Sequence, residues 1–146
     1  MSAPIFYIMP DAPEPVSPYS HAVEIDGWLF TAGQVANDLA YEPSTLPADI
    51  EVQTRMVMEN LKRVLESAGA RFANVVAARV FLTHYEEDKR KMNAVYAQYF
   101  ADDKLPARTC VGVSALAGGA RVEIDLTACK SCETRTQARA MELSDQ

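Results

Sequence analysis

The sequence predicts an α+β domain built on a single mixed six-stranded sheet, with two helices packed on one face. Six segments of strand length alternate in polarity or are rich in β-branched residues. Two longer segments place apolar residues at helical spacing. The order, strands first, then helix, strand, helix and two strands, is typical of one sheet covered on one side. Because two helices cannot cover both sides of such a sheet, we expect the open face to be buried in an oligomer.

The N-terminal part of the chain supplies three of the predicted strands. Residues 5–8 form a short strand between prolines, and we place it at an edge because proline cannot donate in a central ladder. Residues 21–26 and 28–32 form the next two strands, joined by a turn at Gly27. Gly33 follows, and its missing side chain allows a ligand or a neighbouring chain to approach the backbone.

Two amphipathic helices alternate with the next strands. The first helix covers residues 48–68 and ends at Gly69, a favoured C-terminal cap. Residues 75–83 form a strand rich in β-branched side chains. The basic run 89–91 lies in the second helix, where a solvated face explains it better than an RNA-binding patch. That second helix has a single apolar stripe: Met92, Val95, Tyr96, Tyr99 and Phe100.

The end of the domain is predicted as a hairpin whose strands, 106–113 and 120–127, flank a loop containing Gly118 and Gly119. Alternation gives this hairpin an apolar face and a polar face. The polar face is expected to carry four side chains: Arg108, Cys110, Glu123 and Asp125. An ordinary solvated cross-strand ion pair is the alternative interpretation of this face.

Length and charge limit the classes of protein to which this chain can belong. The 146 residues suit one domain, 1–129, followed by a polar tail, 130–146. A net charge of −6 argues against binding of nucleic acid or of an anionic membrane surface. No apolar run reaches the length of a membrane span, and there is no secretion signal. We therefore expect a cytoplasmic protein with reduced cysteines.

Three cysteines raise the question of metal or redox chemistry. Cys129 and Cys132 form a C-x-x-C pair, but a zinc site would need two further ligands. We interpret the pair as incidental and predict no metal. Cys110 has no histidine placed beside it by the sequence, so a pocket wall or core thiol explains it better than a nucleophile.

Several motifs, in this order and spacing, resemble the Rid (YjgF-type) family of small enamine/imine deaminases. The resemblance spans roughly residues 15–128. Its most specific parts are Pro-Ala-Arg-Thr-Cys-Val at 106–111 and Val-Glu-Ile-Asp-Leu-Thr-Ala at 122–128. The other segments that carry it are Ser-Pro-Tyr-Ser at 17–20, Phe-Thr-Ala-Gly-Gln at 30–34, Leu-Pro-Ala-Asp at 46–49, Glu-Asn-Leu at 59–61 and Met-Asn-Ala-Val-Tyr at 92–96.

The resemblance implies a chorismate-mutase-like homotrimer with sites in the clefts between subunits. It implies that Arg108 anchors the substrate carboxylate and that Glu123 orients or activates water. The residues implied to line the pocket are Tyr19, Gly33, Asn93 and Cys110. The implied reaction is the hydrolytic deamination of a small enamine or imine carboxylate, such as 2-iminopropionate, to a 2-oxo acid and ammonia. Such labile substrates need only positioning and one base, so we expect no cofactor.

The chain departs from the family pattern in three places. Ala32 stands where many deaminating members have serine or threonine, one residue is inserted between Thr83 and Asn93, and a cysteine-containing tail follows Ala128. These departures concern the identity of the substrate more than the type of reaction. An aminomuconate-like intermediate of aromatic degradation is an alternative substrate to 2-iminopropionate. Two further alternatives are a non-catalytic trimer that binds a small carboxylate and, less favoured by the acidic charge, an endoribonuclease.

Overall fold

The computed structural model describes residues 3–10, 17–37 and 46–132. The expected polar tail after Cys132 and parts of two expected loops lie outside the described residues. Within those described ranges, none of the helices combines the length and the apolar character needed to cross a membrane.

The described chain forms a single mixed six-stranded sheet with two helices on one face, as the sequence predicts. The strands and helices are β1 (Ile5–Tyr7), β2 (Ala22–Ile25), β3 (Trp28–Thr31), α1 (Ile50–Ser67), β4 (Val75–Leu82), α2 (Tyr85–Tyr96), β5 (Ala107–Gly112) and β6 (Val122–Cys129). The strand order is β1-β2-β3-β6-β4-β5. β4 and β5 run parallel, whereas the other neighbouring pairs are antiparallel. β1 is an edge strand, which confirms its predicted position.

The prediction of a closing hairpin is wrong. β5 and β6 are consecutive in the chain, but β4 lies between them in the sheet. β5 pairs in parallel with β4, so the chain must cross from one end of the sheet to the other, and α2 makes that connection. The turn-like glycines between β5 and β6 therefore lie in a longer connection and not in a tight hairpin loop.

The strand register assigns each side chain to one of two faces, because residues paired across strands point to the same side. One face is covered by the helices, and it carries buried pairs between β4 and β6: Ala78 with Leu126, Val80 with Ile124, and Leu82 with Val122. The opposite face, here called the open face, carries the alternate pairs: Arg79 with Asp125 and Phe81 with Glu123.

The ends of α1 follow from local chemistry. Asp49 caps the helix, and its Oδ1 accepts a hydrogen bond from the backbone nitrogen of Val52 at 3.0 Å. The helix ends at Ser67, and Gly69, with φ at 76°, turns the chain out of the helical path. The bounds differ from the predicted ones by one or two residues.

A buried ion pair fixes the start of α2 to the sheet. Asp88 is 3% exposed, and its Oδ2 accepts a hydrogen bond from Arg121 Nε at 2.8 Å. A second bond joins Arg121 Nη2 to Asp88 Oδ1 at 3.0 Å. Because a two-pronged contact of this kind constrains direction as well as distance, it sets how α2 lies against the start of β6.

The chain after β6 packs back onto the turn between β2 and β3. Lys130 donates its backbone N–H to the Gly27 carbonyl at 2.8 Å and its Nζ to Glu24 Oε1 at 2.7 Å. The sulfurs of Cys129 and Cys132 are bonded to each other, whereas the sequence led us to expect reduced thiols. Cys110 is the remaining free cysteine.

Asn60 connects α1 to the segment that follows β3. Its side-chain nitrogen donates to the carbonyl oxygens of Val35 and Asn37 at 3.2 and 3.1 Å. Two backbone bonds pair Gln34 with Ile124 of β6 just upstream. The path of residues 33–37 is therefore fixed from both the helix and the sheet.

We predict that Asn60→Asp lowers the free energy of unfolding by about 1–3 kcal/mol, because a carboxylate cannot donate to these carbonyls and repels them. Urea denaturation at fixed protein concentration measures the effect. Lys62→Gln is the matched control, since Lys62 is exposed on the same helix. Equal stability of wild type and Asn60→Asp would show that the amide does not hold this segment.

Candidate active site

Arg108 lies on β5 and projects toward α2. It pairs in the sheet with Ala78, which is buried on the helix-covered face. Its guanidinium carbon is 4.9 Å from the centre of the Tyr96 ring. A guanidinium stacked on an aromatic face keeps its N–H groups directed outward, where they are available to a carboxylate.

Six residues of α2 and β5 form a group that we call the helix-side cluster: Tyr85, Lys89, Asn93, Tyr96, Arg108 and Cys110. The four from α2 follow one another at steps of four, four and three residues, which places them on one face of the helix. A Cβ added at Gly112 would lie 3.3 Å from the Tyr85 Cβ. Tyr85 therefore packs against the end of β5, and Tyr96 packs near its beginning.

The helix-side cluster is cationic and contains unpaired polar atoms. Burial raises the pKa of the Cys110 thiol, and the charges of Arg108 and Lys89 oppose that effect. The side-chain oxygen of Asn93 and the hydroxyl of Tyr96 are buried without a hydrogen-bond partner in the described chain. Buried polar atoms are normally paired, so these two point to a partner outside the described chain.

A second group, the open-face cluster, consists of Gly33, Arg79, Glu123 and Asp125. A Cβ added at Gly33 would lie only 2.8 Å from Glu123 Oε2 and 2.9 Å from its carboxyl carbon. A larger residue at this position would force the Glu123 carboxylate to shift. Gly33 therefore has a specific structural role beside Glu123.

The electrostatic environment of Glu123 favours its protonated form. Burial raises the pKa of Glu123, the charge of Asp125 raises it further, and the charge of Arg79 lowers it. Arg79 is held by Asp125, with Nη2 and Oδ2 2.7 Å apart. The two charges of this ion pair therefore act on Glu123 in opposite directions and partly offset each other.

Tyr19 lies at the same end of the β2–β3 pair as Gly33. Its ring makes an edge contact with His21, with ring centroids 6.3 Å apart. The carbonyl of His21 accepts a hydrogen bond from the backbone nitrogen of Ala32 at 2.9 Å. Tyr19 is 45% exposed, so much of its side chain is free to contact another molecule.

The structure places five of the six predicted site residues in two separate groups, and Tyr19 lies at the same end of the β2–β3 pair as Gly33. Arg108, Cys110 and Asn93 lie on the helix-covered side, whereas Glu123 lies on the open face against Gly33. The expectation that Arg108 and Glu123 share one face is wrong, because β4 separates their strands and sets their relative orientation. Within one chain the sheet lies between them.

Three members of the helix-side cluster, Tyr85, Lys89 and Tyr96, were not predicted as site residues. Lys89 was interpreted as part of a solvated basic run, and Tyr96 was interpreted as part of an apolar stripe. The signal that identifies them is the spacing of Tyr85, Lys89 and Asn93 at four-residue intervals, which places all three on one helical face. In the described residues no group of three or more His, Cys, Asp or Glu side chains is arranged to hold a metal ion.

Comparisons with known proteins agree on the relationship. Residues 9–130 match the family described as Endoribonuclease L-PSP. A RutC family protein of Synechocystis is 44% identical over 121 residues, covering 80% of this chain and 89% of that protein. A solved structure from Yersinia pestis, of a protein of unknown function in the conserved Rid family, is 35% identical with a TM-score of 0.80, covering 87% of this chain and 99% of that one.

A further solved structure that matches this chain contains a bound ligand. Escherichia coli TdcF with bound serine is 30% identical, with a TM-score of 0.78, and the match covers 87% of this chain and 99% of TdcF. The family match extends over most of the chain, and the relatives are matched along nearly their whole length. The chain therefore belongs to the Endoribonuclease L-PSP family, which includes the RutC, Rid and YjgF proteins.

Proposed function

We propose that this protein hydrolyses small 2-imino carboxylates to 2-oxo acids and ammonia, at sites that two protomers of a homotrimer build together. The observation that carries the proposal is the separation of Arg108 from Glu123 by the sheet. A carboxylate anchor and a base on opposite sides of one chain cannot act on the same small molecule. Arg108 of one protomer and Glu123 of the next can do so.

The open face supports the assembly. Large apolar side chains on it are substantially exposed, among them Phe6 at 64%, Phe30 at 47% and Val111 at 39%. Exposed apolar surface of this kind, beside a partly buried carboxylate, is typical of a contact between subunits. A closed ring of three copies would bury the open face of every protomer.

The helix-side cluster suits the substrate's carboxylate. A guanidinium can bind both oxygens of a carboxylate through parallel N–H groups, which fixes the orientation of the neighbouring C=N carbon. The unpaired oxygens of Asn93 and Tyr96 can accept hydrogen bonds from the nitrogen of an imine or iminium group. TdcF, the relative described with bound serine, supports a site for a small molecule that carries both a carboxylate and a nitrogen.

Glu123 supplies the proton transfers. It accepts a proton from water as the water oxygen bonds to the C=N carbon and the C=N electron pair moves to nitrogen, and it then passes that proton to the nitrogen. Glu123 next takes the hydroxyl proton of the carbinolamine and delivers it to the amino group, so the carbonyl forms as the C–N bond breaks and ammonia leaves. One water is consumed for each ammonia released. A raised pKa suits this exchange, because a base works best when its pKa is near the working pH.

The first prediction concerns assembly. Light scattering coupled to gel filtration should give three times the 16.1 kDa chain mass, because the open face is otherwise exposed to water. Phe30→Glu places a charge on that face and should shift the protein toward smaller species. A monomeric wild type at micromolar concentration would remove the shared site.

The second prediction tests the shared site directly. Arg108→Ala should abolish carboxylate anchoring, and Glu123→Gln should lower turnover by about two to four orders of magnitude because it cannot accept a proton. Refolding the two inactive variants together should restore activity, since about a quarter of the clefts in randomly mixed trimers hold both intact residues. A within-chain site would give no recovery, so recovered activity and its absence distinguish the two arrangements. A coupled assay that generates 2-iminopropionate from serine measures turnover.

The third prediction concerns the pKa of Glu123. Asp125→Asn removes a negative charge and frees Arg79, so both effects lower the pKa of Glu123. Arg79→Met removes the positive charge and leaves Asp125 unneutralised, so both effects raise it. A carbon-detected NMR titration of the Glu123 carboxyl measures the shifts. Shifts in the same direction for both variants would contradict this account of the electrostatics.

A further inference from the structure

We propose that Lys89 is a second anion anchor in this site, and that the substrates are 2-imino dicarboxylates. The inference rests on the proposed function and specifies its substrate class. Arg108 holds the carboxylate next to the reacting carbon, and Lys89 holds a second carboxylate at the other end of the molecule.

The position of Lys89 follows from how α2 lies on β5. Tyr85 packs against Gly112 and Tyr96 packs against Arg108, so the helix and the strand run in opposite directions. Lys89 is one turn beyond Tyr85, which places it near the middle of β5, beside Cys110. The charges of Lys89 and Arg108 both act on the Cys110 thiol, in agreement with this placement.

Lys89 is unusual among the cations of the described chain. Three of them are half-buried, namely Lys89, Arg121 and Lys130. Arg121 and Lys130 each hold a carboxylate, at 2.8 and 2.7 Å. For Lys89 the described residues provide no carboxylate, and the same holds for Arg108. In a chain with 20 acidic and 14 basic residues, two unneutralised cations on one surface indicate a site for an anion.

The contacts of Lys89 leave its ammonium group able to bind a ligand. Its Nζ donates to the Tyr85 hydroxyl at 2.5 Å and lies 4.8 Å from the centre of that ring. The contact uses one of the three ammonium protons, so two remain for a ligand. Tyr85 also holds the long lysine side chain over β5, which reduces the entropy lost when a ligand binds.

The spacing of the two cations fits a dicarboxylate. Lys89 and Tyr96, whose ring carries the Arg108 guanidinium, are seven residues apart on α2, or about 10 Å along the helix axis. The charges of Lys89 and Arg108 are close enough to act on each other. A four- to six-carbon dicarboxylate therefore spans the two, roughly by the lengths of its bonds.

The charge of the complete site also favours dicarboxylate substrates. In the shared site, Glu123 of the neighbouring protomer is an acid beside the substrate. A second carboxylate on the substrate would be repelled by Glu123 if Arg108 were the single cation present. Lys89 supplies the additional positive charge that a dianionic substrate requires.

Calorimetric titration with two unreactive product analogues tests the inference. 2-Oxoglutarate and 2-oxopentanoate share a five-carbon chain and differ in whether it ends in a carboxylate or a methyl group. We expect wild type to bind 2-oxoglutarate at least about tenfold more tightly. Lys89→Gln should remove that preference and leave 2-oxopentanoate affinity unchanged, whereas Lys89→Arg should keep it. Lys91→Gln is the matched control, because it removes the same charge from an exposed position of α2.

The outcomes separate this inference from the proposed function. If Lys89→Gln binds 2-oxoglutarate as tightly as wild type, or loses affinity for both ligands equally, Lys89 is not a second anchor. The proposed deaminase function would survive either result. If wild type binds neither ligand, and Arg108→Lys changes nothing, the carboxylate site itself is absent and both proposals fail.

Discussion

The placement of β4 between β5 and β6 is the constraint on which the rest of the structure depends. β4 pairs in parallel with β5 and in antiparallel fashion with β6, so it fixes the orientation of both strands. It directs Arg108 toward α2 and Glu123 toward the open face. The parallel pairing also requires the α2 crossover, which brings Asn93, Tyr96 and Lys89 alongside β5.

The sequence predicts the fold class and most element positions because those depend on local patterns. Alternation, helical spacing, the Asp49 cap and the Gly69 terminator each depend on residues that lie within a few positions of one another in the sequence. The pairing of distant strands leaves no comparable local pattern. Alternation shows that Glu123 and Asp125 share a face, and separately that Arg108 and Cys110 do. It does not show how the two faces relate, and the assumption of a hairpin made the wrong connection between them.

The candidate site was predictable to a different degree at each residue. Arg108, Cys110 and Asn93 were identified through motifs, and the structure places them in one cluster. The close approach of Gly33 to Glu123 depends on the bridge between Gln34 and Ile124, a contact between distant parts of the chain that no local pattern indicates. Lys89 was missed because a run of basic residues on a helix is usually solvated, and its half-buried position becomes evident after α2 is packed on β5.

The bond between Cys129 and Cys132 has a practical consequence for the rest of the molecule. With these two sulfurs joined, Cys110 is the one free thiol among the three cysteines of the chain. A maleimide dye or spin label applied without reductant would therefore attach at the wall of the helix-side cluster. Since burial raises the pKa of this thiol, mildly alkaline buffer would speed the attachment. The protein thus carries a built-in point for a spectroscopic reporter of ligand occupancy, and no cysteine needs to be engineered.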